Sequence, residues 1–146
     1  MDDFHVIVFS KDRAFQLHEY LRTLRKYITA SSGHVRVSVL YHAAKPELEC
    51  RCHSFDKSYE RVRALHSDVS FVPESCGVEF AQKLREIVSS APAKQPGQRH
   101  GAQATGSRYV LFGVDDALFF APFNLTLGAQ FLSHRPNSHF AFHLKL

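Results

Sequence analysis

Two adjacent carboxylates, Asp115 and Asp116, lie inside the most hydrophobic segment of the sequence, YVLFGVDDALFF. The other ten residues of that segment are apolar or glycine. An unpaired buried carboxylate costs several kcal/mol, which is comparable with the whole stability margin of a domain. The pair therefore requires solvent at a strand end, a basic side chain, a hydrogen-bonded turn or a bound cation.

A second polar cluster, Ser10-Lys11-Asp12-Arg13, directly follows the apolar run FHVIVF. It predicts a polar turn after a buried strand, with Asp12 as the N-cap of the next helix. The chain carries a net charge of +4 and has a pI near 9.1. A mildly basic protein suits anionic ligands such as phosphates, nucleotides or nucleic acid, and the charge alone does not choose among them.

Apolar runs and helical periodicities alternate along the chain. Strands are predicted at residues 4–9, 35–41, 69–72, 109–114 and 139–144, and helices over about 13–29, 55–65, 80–88 and, more weakly, 123–133. This alternation predicts an α/β fold, Rossmann-like and three-layered, with a mostly parallel central sheet and helices on both faces. Residues 91–107, rich in Pro, Gly, Ala and Gln, predict a flexible loop within a single domain that spans residues 1–146.

The predicted fold places the acidic pair at the carboxyl end of a strand. In open α/β sheets the ligand binds outside the carboxyl ends of the strands, and Asp115 and Asp116 directly follow a predicted strand. Neighbouring residues of a regular strand point to opposite faces, so two adjacent carboxylates serve one site only where the strand breaks. We therefore expect Mg²⁺ or Mn²⁺ to bind there, with several waters retained and a bridge to substrate phosphates.

Several classes of protein are excluded by missing patterns. The sequence contains no G-x-S-x-G, P-loop or G-x-G-x-x-G, which argues against α/β-hydrolases, nucleotide kinases and dinucleotide-binding proteins. No apolar run approaches the roughly 20 residues that span a bilayer. The acidic N-terminus does not look like a secretory signal, and three cysteines suggest no disulfide framework, so we expect a cytoplasmic location.

Five segments together resemble a known family. VIVFSKDR, VSVLY, VSFVPES, YVLFGVDDALFF and the closing HFAFHLKL look like the N-terminal, nucleotide-binding part of nucleotide-diphospho-sugar transferases, glycosyltransferases of the GT-A fold similar to the family 2-like group. The resemblance implies that the loop after the first strand cradles the nucleotide. It also implies that a strand-end acidic motif, the DXD motif, holds a divalent metal on the diphosphate.

Carried over to this sequence, the resemblance assigns Asp115 and Asp116 to the metal, with Asp115 also near the nucleotide sugar. It assigns Ser10, Lys11, Asp12 and Arg13 to the nucleotide, Tyr41 and His42 to the base, and Lys83 to the phosphate region. The acidic motif lacks one carboxylate in either frame, because Val114 precedes the pair and Ala117 follows it. The sequence also ends where such enzymes continue into their acceptor-binding half.

The leading hypothesis is thus a glycosyltransferase domain that binds a nucleotide-diphospho-sugar donor through Mn²⁺ or Mg²⁺ and transfers the sugar to an unknown acceptor. A catalytically inactive or truncated nucleotide-sugar-binding module is the first alternative. A basic nucleic-acid-binding α/β domain is the second, using Arg51, Lys57, Arg61, Arg63 and the 94–108 loop. Acidic residues interleave with these positive charges and no aromatic stacking platform is evident, so we do not expect nucleic acid as a partner.

Overall fold

The computed structural model describes residues 3–31, 33–43, 55–74, 80–89 and 109–133. Its strands are β1 (Asp3–Lys11), β2 (Ile28–Thr29), β3 (His34–His42), β4 (Ser70–Pro73), β5 (Tyr109–Val114) and β6 (Phe123–Asn124). Its helices are α1 (Ala14–Tyr27), α2 (Phe55–Leu65), α3 (Phe80–Ser89) and α4 (Leu125–Ser133).

Four of these strands form one parallel sheet in the order β4-β3-β1-β5. From β1 the chain moves outward through β3 to β4, and β5 then pairs with the other side of β1. In register, Lys11 of β1 lies opposite His42 of β3, and Phe9 lies opposite Val114 of β5. The carboxyl ends of these three strands therefore meet at one edge of the sheet.

Helices cover both faces of this sheet. Phe4, Val6 and Val8 of β1 belong to a core that includes residues of α1 and α2. Ile7 of the same strand belongs to a smaller core on the opposite face, where it packs with Ile87 of α3. Alternate strand residues point to opposite faces, so this division follows from the strand period of two. The predicted α/β fold, with its parallel sheet and helices on both faces, is confirmed.

The predicted strands at residues 4–9, 35–41, 69–72 and 109–114 all form, with boundaries within two residues of those expected. The helix expected at 123–133 begins only at Leu125, because Phe123–Asn124 pairs with Ile28–Thr29 as a short parallel strand. Asn124 then caps the helix, since its side-chain oxygen accepts the Thr126 N–H at 3.0 Å. The loop expected at 91–107 and the strand expected at 139–144 lie outside the described residues.

The prediction that Asp12 caps the first helix is wrong. Residue Arg13 occupies the N-cap position and makes no side-chain capping bond. Asp12 instead has φ of 55°, a left-handed conformation that Asp tolerates better than most residues. Its N–H donates to the His42 carbonyl at 3.0 Å, which ties the turn after β1 to the end of β3.

Among the residues that the structure describes, no helix combines the length and the apolar character needed to cross a membrane.

Candidate functional site

The two polar clusters found in the sequence meet between β1 and β5. After β1 the chain continues toward β3 on one side, while β5 flanks β1 on the other, so the ends of β1 and β5 form a switch point of the sheet. Ligands of open α/β sheets bind in the crevice at such a point. The Asp115 N–H donates to the Phe9 carbonyl at 3.2 Å, which continues the strand pairing up to the acidic pair.

The two carboxylates have different environments. Asp115 is buried, with 5% of its surface exposed, whereas the side chain of Asp116 is 60% exposed. The Ser10 hydroxyl donates to Oδ2 of Asp115 at 2.7 Å. The cost of placing these charges here is therefore offset in three ways. The Ser10 hydroxyl donates to Asp115, the Asp116 side chain reaches solvent, and the basic side chain of Arg13 lies near both carboxylates.

A relay of hydroxyl groups runs through this site, and its direction can be deduced by counting protons. Ser10 has one hydroxyl proton, which it donates to Asp115, so in its 2.7 Å contact with Tyr59 it must accept. Burial raises the pKa of Tyr59, which keeps the phenol protonated and able to donate. The Tyr59 oxygen in turn accepts the backbone N–H of Arg13 at 3.2 Å.

Among the described residues, Arg13 is the basic side chain that pairs with the acidic residues. Its Nη1 lies 3.9 Å from Oδ1 of Asp115 and 3.5 Å from Oδ2 of Asp116. The side chain is 53% exposed, so it can leave these carboxylates without breaking a packed core. One guanidinium therefore faces both carboxylates and offsets part of their negative charge.

A cavity of about 500 Å³ opens at this edge of the sheet. Its apolar walls include Phe9, Leu40, Phe80 and Val114, and charged side chains line its rim. Small-molecule sites of this size usually combine apolar walls with a few converging polar groups. The polar residues lining it are Ser10, Lys11, Arg13, His42, Glu74, Asp115 and Asp116.

Most of the residues predicted for the site therefore come together, and three do not line the cavity. Tyr41 stacks on Tyr59 with ring centroids 4.6 Å apart, and its hydroxyl accepts from Arg63. Lys83 lies on α3 and pairs with Glu86 at 3.6 Å. The turn residue Asp12 is the third.

Sequence reasoning missed Glu74 and Phe80. Glu74 lies 3.3 Å from His42 Nδ1 across the rim, and its N–H donates to the Tyr41 carbonyl at 2.7 Å. It directly follows a strand, as Asp115 does, so its position at a strand end was an available signal. Phe80 begins the helix predicted at 80–88, and its ring contacts Phe9 at the cavity wall, with centroids 5.4 Å apart.

The oxygen ligands at this edge suit a hard divalent cation. Asp115 and Asp116 offer carboxylates, the ligand type that Mg²⁺ and Mn²⁺ prefer while they retain several waters. Among residues 3–31, 33–43, 55–74, 80–89 and 109–133, no group of three or more His, Cys, Asp or Glu side chains converges as a ready-made metal site. A cation bound here would have two carboxylates as its protein ligands, with the Arg13 guanidinium 3.5–3.9 Å from them.

One relative among known proteins bears on what this site does. The chain is 31% identical over 146 aligned residues to the bifunctional glycosyltransferase pgtA of Dictyostelium discoideum. The alignment covers 97% of this chain but 16% of that protein, so the chain spans about a sixth of the relative's length. No family model matches the chain, and no solved structure matches it. The chain is thus related to a glycosyltransferase, as its sequence predicted.

Proposed function

We propose, on the premise that this chain is related to a glycosyltransferase, that it forms the part of such an enzyme that binds a nucleotide-diphospho-sugar. The observation that carries the proposal is the meeting of an acidic pair with Lys11 and Arg13 at the switch point of a parallel sheet. A nucleoside diphosphate has an aromatic base and an anionic diphosphate. The cavity offers matching chemistry, because its lining includes the aromatic Phe9 and Phe80, the basic Lys11 and Arg13 and the acidic pair.

The proposed donor complex uses the carboxylates and the basic residues differently. Asp115 and Asp116 hold Mn²⁺ or Mg²⁺, which when bound supplies Lewis-acid neutralisation of the diphosphate leaving group. Lys11 and Arg13 bind phosphate oxygens and orient the diphosphate between them and the acidic pair. Phe9 and Phe80 exclude water from the inner wall. The fold is proposed to be GT-A.

Titration of the chain with UDP-sugars and GDP-sugars, each with and without Mn²⁺, tests this function. We expect binding that requires the metal and that is lost in Asp116→Ala, a substitution at an exposed side chain that should leave the fold intact. Arg22→Ala is a matched surface control, because Arg22 pairs with Glu19 on the exposed side of α1. Metal-independent binding, or binding unchanged in Asp116→Ala, would overturn the metal-dependent function.

A catalytically inactive binding module is the second candidate. The observation favouring it is the small ligand set, in which one of two carboxylates already accepts a hydrogen bond from Ser10. This candidate predicts that the chain binds a nucleotide sugar as an active enzyme would, but neither transfers the sugar nor hydrolyses the donor. Mass spectrometry of a donor incubated with the chain, Mn²⁺ and a panel of acceptors separates the two, since glycosylated acceptor or released nucleoside diphosphate appears only if the chain is active.

The nucleic-acid alternative stays a prediction. Lys57, Arg61 and Arg63 are exposed on α2, next to the acidic Asp56 and Glu60. Oligonucleotide binding with a steep dependence on salt concentration would support it.

A further inference from the structure

We propose that Tyr59 is a positioning residue of the metal site, which acts through Ser10 to fix the orientation of the Asp115 carboxylate. This inference rests on the proposed function, because it concerns how the chain holds the metal. The relay deduced from the proton count runs from the Tyr59 hydroxyl to Ser10 Oγ and from the Ser10 hydroxyl to Asp115 Oδ2, each at 2.7 Å.

The relay leaves one oxygen of Asp115 for a ligand. Oδ2 accepts from Ser10, while Oδ1 lies on the side of Arg13, whose Nη1 is 3.9 Å away. A carboxylate held by one hydrogen bond on one oxygen cannot rotate freely to present the other. Groups behind a metal ligand orient it in this way, and their loss weakens metal binding roughly 10- to 100-fold.

Tyr59 itself is held rigidly enough to act as the anchor. It is 2% exposed in the core between α1, α2 and the sheet, and its ring stacks on Tyr41. Its oxygen also accepts the Arg13 N–H, so one phenol connects the basic turn after β1 with the acidic pair after β5. The contact with Arg13 ends on a backbone N–H, whereas the contact with Ser10 leads to the Asp115 carboxylate, so the positioning role runs through Ser10.

A purely structural role for the phenol makes a different prediction. In that case, loss of the hydroxyl lowers stability and leaves metal affinity unchanged. In the positioning role, Tyr59→Phe weakens Mn²⁺ binding even in protein that is fully folded. The Tyr59→Phe effect must also pass through Ser10, so it disappears when Ser10 has already lost its hydroxyl.

The experiment measures the affinity of the chain for Mn²⁺ alone, by calorimetry and by electron paramagnetic resonance, in Tyr59→Phe, Ser10→Ala and the double variant. Thermal unfolding without metal, followed by circular dichroism, verifies that each variant is folded. Tyr109→Phe is the matched control, because its hydroxyl donates to the Ala129 carbonyl from the start of β5, at the opposite end of the strand from Asp115.

We expect Tyr59→Phe to weaken Mn²⁺ binding about tenfold and Ser10→Ala by ten- to a hundredfold. The double variant should match Ser10→Ala, and Tyr109→Phe should match the unmodified chain. If the unmodified chain binds Mn²⁺ and Tyr59→Phe binds it equally well, or if the two effects add, the positioning role is wrong while the proposed function stands. If the unmodified chain fails to bind Mn²⁺ alone, this inference is wrong, and the metal-dependent function is decided separately by the titration with nucleotide sugars.

Discussion

The guanidinium of Arg13 lies 3.5 Å from the carboxylate of Asp116, its exposed acidic partner across the end of the sheet. The same Nη1 atom faces buried Asp115 at 3.9 Å, so one basic side chain from the turn after β1 lies near two acidic side chains from the end of β5. In the proposed function these carboxylates hold a metal, and Arg13 binds phosphate. In that arrangement Arg13 would compete with the metal until an anionic ligand draws it away.

Substitution of Arg13 by Gln should strengthen the binding of Mn²⁺ alone and weaken the binding of UDP in the presence of Mn²⁺. The first effect arises because the competing cation is lost, and at this exposed site we expect about a two- to fivefold change. The second arises because a phosphate ligand is lost. Calorimetric titrations measure both constants, with Arg22→Gln as the control. Unchanged Mn²⁺ affinity in Arg13→Gln would show that the guanidinium does not compete.

The two carboxylates should differ in their contribution to stability. Asp115→Ala leaves the buried Ser10 hydroxyl without its acceptor, and we expect a loss of roughly 1–3 kcal/mol in the free energy of unfolding. Asp116→Ala, at an exposed side chain, should change that free energy by no more than about 0.5 kcal/mol. Urea denaturation without metal measures both variants. Equal effects would contradict the difference in burial between the two residues.

Gly113 should not tolerate a side chain. A Cβ built at this position would lie 2.1 Å from Tyr20 Oη and 2.9 Å from Tyr20 Cζ, both in a buried ring. Gly113→Ala should therefore destabilise the chain by about 1–3 kcal/mol through overpacking. Gly128→Ala is the matched control on α4, where the nearest atom, in Phe123, would be 3.7 Å away. Thermal unfolding compares them, and an equally mild effect of both substitutions would contradict the close approach of Tyr20.

Acid should destabilise the chain through buried histidines. Burial, together with the charge of Arg36, lowers the pKa of His5 from 6.5 to about 4. Between those values the unfolded chain binds a proton that the folded chain does not, so the free energy of unfolding falls as the pH drops through this window. Burial, with Arg25 and His18, likewise lowers the pKa of His66 to about 4.

His5→Gln tests the contribution of His5. Arg36 donates to His5 Nδ1 at 2.8 Å, so Nε2 carries the proton and donates to Ser38 at 2.8 Å. Gln also offers one acceptor and a donor but does not titrate. Urea unfolding at pH 7 and pH 5 should therefore show a smaller loss in His5→Gln than in the unmodified chain. An identical pH dependence would mean that His5 does not take up a proton on unfolding.

Much of the architecture followed from local pattern. The alternation of apolar runs and helical periodicities predicted four strands of the sheet and the helices between them, because burial on one face leaves a period in the sequence. The helix cap predicted at Asp12 did not form, because the Asp12 N–H donates to the His42 carbonyl of a distant strand. The two-residue strand at Phe123–Asn124 carried no periodicity, since its pairing depends on Ile28–Thr29.

By itself, the sequence determined that two carboxylates follow a buried strand and that a basic turn follows another. Those are properties of neighbours along the chain. Tertiary structure alone decided that Asp115 is the buried member of the pair and that it accepts a hydrogen bond from Ser10, 105 positions away in the sequence. It also decided that the Tyr59 hydroxyl of α2 donates to Ser10. The physical reason is that strand order and helix packing arise from contacts between distant segments, which local patterns of polarity do not encode.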